Sequence, residues 1–266
     1  MMNPRRGALG AFGLSVAVLS MEASAQSQSD GWEISRIERS FAATDALSAK
    51  IVNIYGDLRV RASKAGELFL LATVQQKEGS ALRPELRAAE IDGVHRIEMT
   101  FGAPEKEGAA TACEVGRECR ADIAALVPAG QKLELLTEGG LIEVRAAERY
   151  LEVTTGTGEI DILTKRPVLA RSEHGRIRIV FDALEWQGET LVETVTSDIR
   201  VELPAAADLV VELSTKGYIT TDYSIEIETA PNDLEKRGRV RLGEGTRTIR
   251  MRSEKGNLML IRNLAL

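Results

Sequence analysis

The sequence predicts an all-β protein whose main part is a parallel, two-sheeted β-solenoid, with an N-terminal capping region. A glycine, or in one case a serine, followed by alternating polar and apolar residues returns seven times between residues 140 and 260, about 19 residues apart on average. Alternation with a period of two is typical of a strand that buries one face. No intervening stretch is long enough for a crossover helix, which argues against a doubly wound fold. A β-sandwich built from the same strands is the structural alternative.

The repeats define corners and inward positions. They begin at Gly140, Gly158, Gly175, Ser197, Gly217, Gly238 and Gly256. The second and fourth residues after each of these positions are apolar in all but one case, so we expect them to face the core. The turn glycines are expected where the backbone needs a positive φ between strands. Because Ser197 interrupts the glycine series, the turn there is expected to differ locally.

Residues 1–25 have the pattern of a secretory signal peptide. Arg5 and Arg6 give a positive start, an apolar run follows over residues 8–21, and residues 23–25 form an A-x-A site with cleavage after Ala25. The apolar run is too short to favour a membrane span, and no later stretch approaches spanning length. We therefore expect a periplasmic or secreted mature chain without a membrane span.

Residues 26–130 are predicted to form N-terminal strands and a cap. The predicted strands cover residues 51–60, 67–74, 95–101 and 122–127, and residues 82–90 are predicted to form a short surface helix. This section is expected to cover the open end of the solenoid, because an uncovered edge invites pairing with other chains. Residues 131–266 carry the solenoid repeats, in one continuous domain from about residue 32.

The two cysteines, Cys113 and Cys119, lie in a charged insertion over residues 102–120. In an oxidising compartment, an isolated pair of cysteines is most simply a disulfide. Closing so small a loop contributes about 2 kcal/mol in the chain-entropy model. A redox or metal site would need a Cys-x-x-Cys spacing or further ligands nearby, and the sequence has neither. A structural disulfide is therefore the prediction.

Composition and motifs exclude several classes of function. The formal net charge of −6 disfavours nucleic acid as a partner. The only two histidines, His95 and His174, are far apart in sequence, and His174 precedes a turn glycine, as a solvated turn residue would. The chain has no nucleophile elbow, zinc-protease motif, phosphate loop or dinucleotide signature. No catalytic residue, metal site or cofactor is predicted.

Outward charges are expected to form ladders across the stacked strands. Asp161 and Arg178 occupy the same position in successive repeats and should lie about 5 Å apart, where opposite charges favour the register. A solvated charged face that keeps the protein soluble is the plain explanation. The functional alternative is a basic stripe that docks an anionic envelope polymer or an envelope protein. Its residues would be Arg178, Arg200, Arg239 and Arg241.

Several stretches together resemble the bacterial putative-adhesin domain family of unknown function. They are residues 53–60, 127–130, 133–135, 140–144, 155–162 and 253–260. The resemblance covers residues 51–261 and implies an extracytoplasmic β-helical domain without an assigned reaction. The cysteine insertion and Ser197 depart from the family pattern, and no catalytic residue carries over.

The sequence therefore predicts a non-catalytic adhesion or protein-interaction module of the bacterial envelope. The alternative is a polysaccharide-active enzyme on the same scaffold, which would need two convergent carboxylates and an exposed aromatic side chain in a groove. A sensor of envelope stress is a third possibility. The oligomeric state, the ligand and the handedness of the coil are left open.

Overall fold

All regular secondary structure that the computed structural model describes is β. The model describes residues 31–42, 48–80, 82–102, 118–130, 132–146, 148–228 and 234–263. The strands are β1 Trp32–Ala42, β2 Ser48–Asn53, β3 Leu58–Ser63, β4 Glu67–Lys77, β5 Arg83–Ile91, β6 Val94–Gly102, β7 Cys119–Pro128, β8 Lys132–Thr137, β9 Ile142–Arg145, β10 Tyr150–Thr155, β11 Ile160–Thr164, β12 Val168–Ser172, β13 Ile177–Phe181, β14 Gly188–Thr194, β15 Ile199–Leu203, β16 Leu209–Thr215, β17 Ile219–Thr221, β18 Glu226–Glu228, β19 Lys236–Leu242, β20 Arg247–Ser253 and β21 Leu258–Arg262. The predicted all-β class is confirmed.

The strands form two mixed sheets. Sheet A has the order β1-β4-β7-β3-β9-β11-β13-β15-β21-β17, and sheet B has the order β18-β19-β16-β20-β14-β12-β10-β8-β2-β6-β5. The middle of each sheet is parallel, whereas antiparallel strands lie at both ends of sheet B and at the β1 end of sheet A. A shared apolar core lies between the sheets.

Through the middle of the chain, consecutive strands alternate between the two sheets. A strand of sheet B and the sheet-A strand that follows it form a β-arch, such as β10–β11 and β12–β13. Neighbouring arches pair in parallel, so that Ile160 lies beside Ile177, and Ile177 lies beside Ile199. Each of these three isoleucines is at most 1% exposed. The predicted inward positions of these repeats therefore stack as continuous apolar columns.

The spatial order of the arches departs from chain order at both ends. The last arch, β20–β21, lies between β14–β15 and β16–β17. At the other end, β2–β3 lies between β6–β7 and β8–β9. A repeat spacing in sequence specifies one arch but carries no information about which arch becomes its neighbour, and the tertiary pairing decides this.

Buried hydroxyl groups hold the corners that follow several sheet-B strands. Ser172 Oγ accepts the N–H of Gly175 at 2.7 Å, and Ser253 Oγ accepts the N–H of Gly256 at 2.8 Å. Thr155 Oγ1 accepts the N–H of Gly158 at 3.0 Å in the same way. A side-chain hydroxyl that bonds the backbone a few residues on stabilises a tight turn. The last residue of each of these strands therefore fixes the corner.

The reason for the turn glycines differs from the prediction at most positions. Of the six predicted turn glycines, only Gly140 has a φ in the left-handed region, at 139°. At Gly158, a Cβ atom would lie 1.8 Å from the carbonyl oxygen of Gly140, and at Gly175 it would lie 1.5 Å from that of Gly158. Gly217 and Gly256 face the same obstacle. Close approach of the neighbouring corner, and not a positive φ, excludes a side chain there.

The corner at Ser197 differs from the glycine corners, as the sequence predicted, but the sequence did not predict the hydrogen bonds that distinguish it. Its hydroxyl donates to the carbonyl oxygen of His174 in the adjacent corner. The hydroxyl of Thr194, which pairs in register with Ser172, is buried and has no hydrogen-bond partner among the described residues. The bond that holds the glycine corners is thus replaced here by a bond between arches.

The prediction that Gly238 marks a turn is wrong. Gly238 lies inside β19, which runs antiparallel to β16 and lies next to the short edge strand β18 of sheet B. A Cβ atom there would lie 2.6 Å from Cδ1 of Ile225, so the glycine makes room for the isoleucine that packs over it. The sequence motif at this position matches the other repeats because alternation alone does not distinguish a parallel from an antiparallel strand.

The short helix predicted over residues 82–90 is also wrong. This segment forms β5, which pairs antiparallel with β6 through nine residues. Leu86 is 4% exposed, whereas most other β5 residues are exposed. A strand at a sheet edge buries few side chains, and its sequence therefore lacks a clear period-two signal. The proposed domain divisions stay predictions.

We expect Gly158→Ala to destabilise the protein by about 2 to 3 kcal/mol, because the new methyl group would collide with the Gly140 carbonyl and separate two arches. Gly66→Ala is the matched control, since Gly66 has open space around its Cα and no positive φ. Urea denaturation followed by circular dichroism measures both changes. Equal stability of the two variants would contradict the stacking explanation.

Candidate functional site

Arg178 and Arg200, two of the four predicted binding residues, are neighbours on the outer face of sheet A. They are direct partners on β13 and β15. Both donate to Oε1 of Glu202, at 2.9 Å and 3.0 Å, and Arg178 also reaches Asp161 at 3.4 Å. Glu202 is only 8% exposed. The two arginines therefore neutralise the carboxylate of a nearly buried glutamate, and the donors that they direct to Glu202 are not available to a ligand.

The ion pairs of sheet A continue away from these arginines. Arg145 bonds Asp161 at 2.7 Å and Glu143 at 3.2 Å, and Arg61 bonds Glu143 at 3.0 Å. Parallel, in-register strands bring equivalent positions together, so neighbouring charges of one sign would repel each other. The directly paired positions include the like-charge neighbours Glu143 and Asp161, and the ion pairs with Arg145 and Arg61 offset that repulsion.

Arg239 and Arg241, the other two predicted binding residues, lie on sheet B. With Arg237, they occupy alternate, exposed positions of β19, while Gly238 and Val240 face the core. The four arginines thus do not form one row: the predicted stripe is split into two pairs on different sheets. Their binding role stays a prediction.

A cavity of about 460 Å³ lies on sheet B where β16, β18, β19 and β20 meet. Its charged lining alternates arginines with glutamates. The charged residues are Arg237, Arg239, Arg250, Arg252, Glu212, Glu226, Glu228 and Glu235. We call the outward-facing arginines of β19 and β20, namely Arg237, Arg239, Arg241, Arg250 and Arg252, the arginine face.

Several charges of the cavity are held by close partners. Arg250 bonds Glu212 at 2.9 Å and Glu189 at 2.6 Å, and the bond to Glu212 chiefly raises the pKa of Arg250. Glu235 accepts hydrogen bonds from the Ser214 hydroxyl and from Arg237, which together lower the pKa of Glu235. These bonds hold Arg250, Glu212 and Glu235 in place in the lining of the cavity.

Arg239 and Arg241 form fewer ion pairs with the described residues than the other arginines of the arginine face. Arg239 lies beside Glu226 of the neighbouring strand β18. The Arg239 guanidinium nevertheless forms no ion pair within the described ranges. Arg241 donates to the carbonyl oxygen of Glu244 at 2.5 Å, and it too has no carboxylate partner in the described part of the chain. Their guanidinium groups keep donors available for an anionic ligand.

Sequence reasoning missed Arg237, Arg250 and Arg252. The alternation along β19 could have placed Arg237 with Arg239 and Arg241, because residues two apart share a strand face. No sequence signal brings in Arg250 and Arg252. They reach this surface because β20 pairs with β16, which in turn pairs with β19.

The other candidate residues form no catalytic arrangement in the described structure. His174 is exposed, with Nδ1 3.1 Å from the Thr196 hydroxyl, and the Ser197 hydroxyl bonds the His174 backbone instead of its ring. His95 lies 3.7 Å from a Glu90 carboxylate oxygen. Within the described ranges, no group of three His, Cys, Asp or Glu side chains is placed to hold a metal ion.

The predicted disulfide involves a residue outside the described ranges. Cys119 begins β7 and is fully buried, whereas Cys113 lies outside the described residues. The disulfide therefore stays a prediction. Among the residues that the structure describes, no helix has the length and apolar character required to cross a bilayer.

Comparison with known proteins gives matches only at the level of structure. No family model matches the chain, and no curated protein matches its sequence. The solved structures that match include a "putative cell adhesion protein" from Clostridium sporogenes, with 10% identity and a TM-score of 0.45, which covers 86% of this chain and 100% of that one.

Two further solved structures carry the name "putative adhesin". The one from Bacteroides fragilis has 10% identity and a TM-score of 0.32, and the match covers 86% of this chain and 97% of that one. The one from Parabacteroides merdae has 8% identity and a TM-score of 0.22, with 88% of this chain and 97% of that one covered.

Replacing both Arg178 and Arg200 by glutamine should destabilise the protein by about 1 to 2 kcal/mol, because Glu202 loses both of its charged donors. Adding Glu202→Gln to the same variant should recover most of the loss, since no carboxylate is then left unpaired. Urea denaturation of the double and triple variants measures the two steps. An unchanged free energy of unfolding in the double variant would mean that these bonds are not stabilising.

Ser214→Ala should raise the pKa of Glu235 toward its ordinary value, because the Ser214 hydrogen bond is the largest cause of the lowering. A lowered folded-state pKa stabilises the protein above the unfolded-state pKa, and this contribution is lost as pH falls through the folded-state value. NMR titration of the Glu235 carboxyl carbon checks the shift. Ser40→Ala, at an exposed position of β1, is the control and should leave the pKa of Glu235 where it is.

Proposed function

We propose that this protein is an extracytoplasmic, non-catalytic β-solenoid that serves as an adhesion module of the bacterial envelope and binds anionic polysaccharide through its arginine face. The observation that carries the proposal is the row of three arginines at alternate positions of β19, of which Arg239 and Arg241 have no carboxylate partner within the described ranges. The predicted signal peptide over residues 1–25 and the resemblance to adhesin-type domains support the location.

The pairing of the arches supports a solenoid over a sandwich of antiparallel layers. In an antiparallel layer, strands that follow one another in the chain usually pair with each other. In the middle of this chain, consecutive strands belong to opposite sheets, and each pairs in parallel with the strand two places away, as β10 does with β8 and β12. A scaffold of this kind presents long, flat outer faces, which suit binding to an extended polymer.

The spacing of the arginine face fits a chain of charged sugars. Alternate residues of one strand lie about 6 to 7 Å apart, so the β19 arginines span about 13 Å. Guanidinium groups bind carboxylate or phosphate oxygens through paired hydrogen bonds. The glutamates of β18, which lie opposite Arg237 and Arg239, can accept hydrogen bonds from sugar hydroxyls.

The glutamates of the cavity are better suited to binding than to glycoside hydrolysis. A hydrolase needs a general acid whose pKa is raised, together with a second carboxylate in the ionised state. Here the pKa of Glu235 is lowered, and Glu212 is ion-paired with Arg250. The proposal is therefore a binding surface without a reaction.

Reversing Arg239 and Arg241 together to glutamate should weaken binding to immobilised polygalacturonate by at least about tenfold, because two guanidinium donors become repelling carboxylates. Binding of the wild-type protein should also weaken as salt increases. Biolayer interferometry at several salt concentrations measures both effects.

The matched control is Arg87→Glu with Arg96→Glu, which makes the same change in net charge on exposed positions at the far end of sheet B. This control should bind like the wild-type protein. If both double variants lose affinity equally, net charge and not the arginine face determines binding. If neither does, the proposed surface is wrong.

A further inference from the structure

We propose that β1 is a dimerisation edge, through which two copies of this chain pair antiparallel and join their A sheets into one continuous sheet. β1 is the outermost strand of sheet A and has eleven residues. It pairs with β4 along its whole length on one side, and within the described ranges no strand pairs with its other side. The backbone groups of a free edge are ready to pair with another strand.

The charges of β1 complement one another in the register that pairs the whole strand. In a twofold antiparallel pair, the residue at the centre lies opposite its own copy, and the centre of Trp32–Ala42 is Ile37. The register that pairs all eleven residues therefore places Arg36 opposite Glu38 of the second copy, and it does so twice. Directly opposed residues of opposite charge stabilise an antiparallel pair.

Neighbouring registers are less favourable, although the one centred on Arg36 also places Glu33 opposite Arg39 of the second copy twice. Centring the pair on Arg36, Glu38 or Arg39 would place that charge directly opposite its own copy, where like charges repel. Centring on Ser35 would place no opposite charges across from each other and would leave the last residues of β1 unpaired. The fully overlapped register is thus favoured by both length and charge.

The other sheet edges are poorly suited to the same pairing. At the C-terminal end, the edge strands β17 and β18 have three residues each. The long edge strand β5 contains Pro84, which has no N–H to donate, and its central residue, Arg87, would lie opposite its own copy. Self-association through one long edge is therefore specific to β1.

The inner face of β1 also fits a second copy. Beyond the outermost arch β6–β7, sheet A continues with β4 and β1, whereas sheet B continues only with β5. Ile37 and Phe41 face inward at this overhang and are only partly buried. A second β1 would extend the apolar surface next to these side chains, with Ile37 packed against its own copy at the twofold axis.

Sedimentation velocity over a range of concentrations tests the proposal on the full mature chain. The wild-type protein should dimerise, and Arg36→Glu or Glu38→Arg alone should raise the dissociation constant about tenfold, because two attractive pairs become repulsive. Glu33→Arg is the matched control. It makes the same charge change as Glu38→Arg on the same strand, but Glu33 lies opposite Phe41 in this register, so dimerisation should persist.

Charge exchange gives a result that a merely destabilised strand would not. The double variant Arg36→Glu with Glu38→Arg should dimerise like the wild-type protein, because the opposite pairs are restored in exchanged positions. Mixing the two single variants should likewise produce a heterodimer. In the dimer, the backbone amides of residues 32–42 should exchange with solvent more slowly than in the monomer.

The proposal is overturned if the wild-type protein stays monomeric up to its solubility limit, in which case the charges of β1 protect the edge instead. It is also overturned if neither the double variant nor the mixture restores association. The test is independent of polysaccharide binding, since the arginine face lies at the opposite end of the stacked arches from β1.

Discussion

At the corners of the stacked arches, the backbone of one arch lies so close to a carbonyl oxygen of the next that no Cβ atom fits between them. Gly158 meets the carbonyl of Gly140, Gly175 meets that of Gly158, and Gly256 meets that of Ser197. Buried hydroxyls such as that of Ser172 hold the same corners from inside. This close contact keeps the strands of both sheets in register, and the flat outer faces depend on it.

In-register stacking has an electrostatic consequence for those faces. Each outward position of an arch lies beside the equivalent position of the next, so a repeated charge would form a repelling row. On sheet A, the adjacent Arg178 and Arg200 are tolerated because Glu202 accepts bonds from both. On sheet B, Arg239 and Arg241 lie on the antiparallel strand β19, where Arg239 is paired between Glu212 and Glu226 and Arg241 is paired with Val210, so neither lies opposite a like charge. Arg178 and Arg200 thus maintain the fold, whereas Arg239 and Arg241 have no carboxylate partner among the described residues.

The two ends of the molecule are also unlike. At the C-terminal end, the β18–β19 hairpin covers the last arch and leaves only short edges. At the N-terminal end, β1 leaves eleven residues of edge with a self-complementary charge pattern. A binding surface at one end and a pairing edge at the other would let two copies present two arginine faces at once, which strengthens attachment to a long polymer by raising the effective concentration.

The sequence by itself determined the all-β class, the inward isoleucines such as Ile160 and Ile177, and most of the corner positions, because period-two burial and tight corners are local properties. It also placed Asp161 beside Arg178. Only the tertiary structure decided that β20–β21 is inserted between earlier arches, that Gly238 lies within a strand, and that Arg250 and Arg252 join the β19 arginines. These features depend on which strands pair although they are far apart in sequence. Every residue except proline can make the backbone hydrogen bonds between strands, so the local sequence does not specify the partner strand.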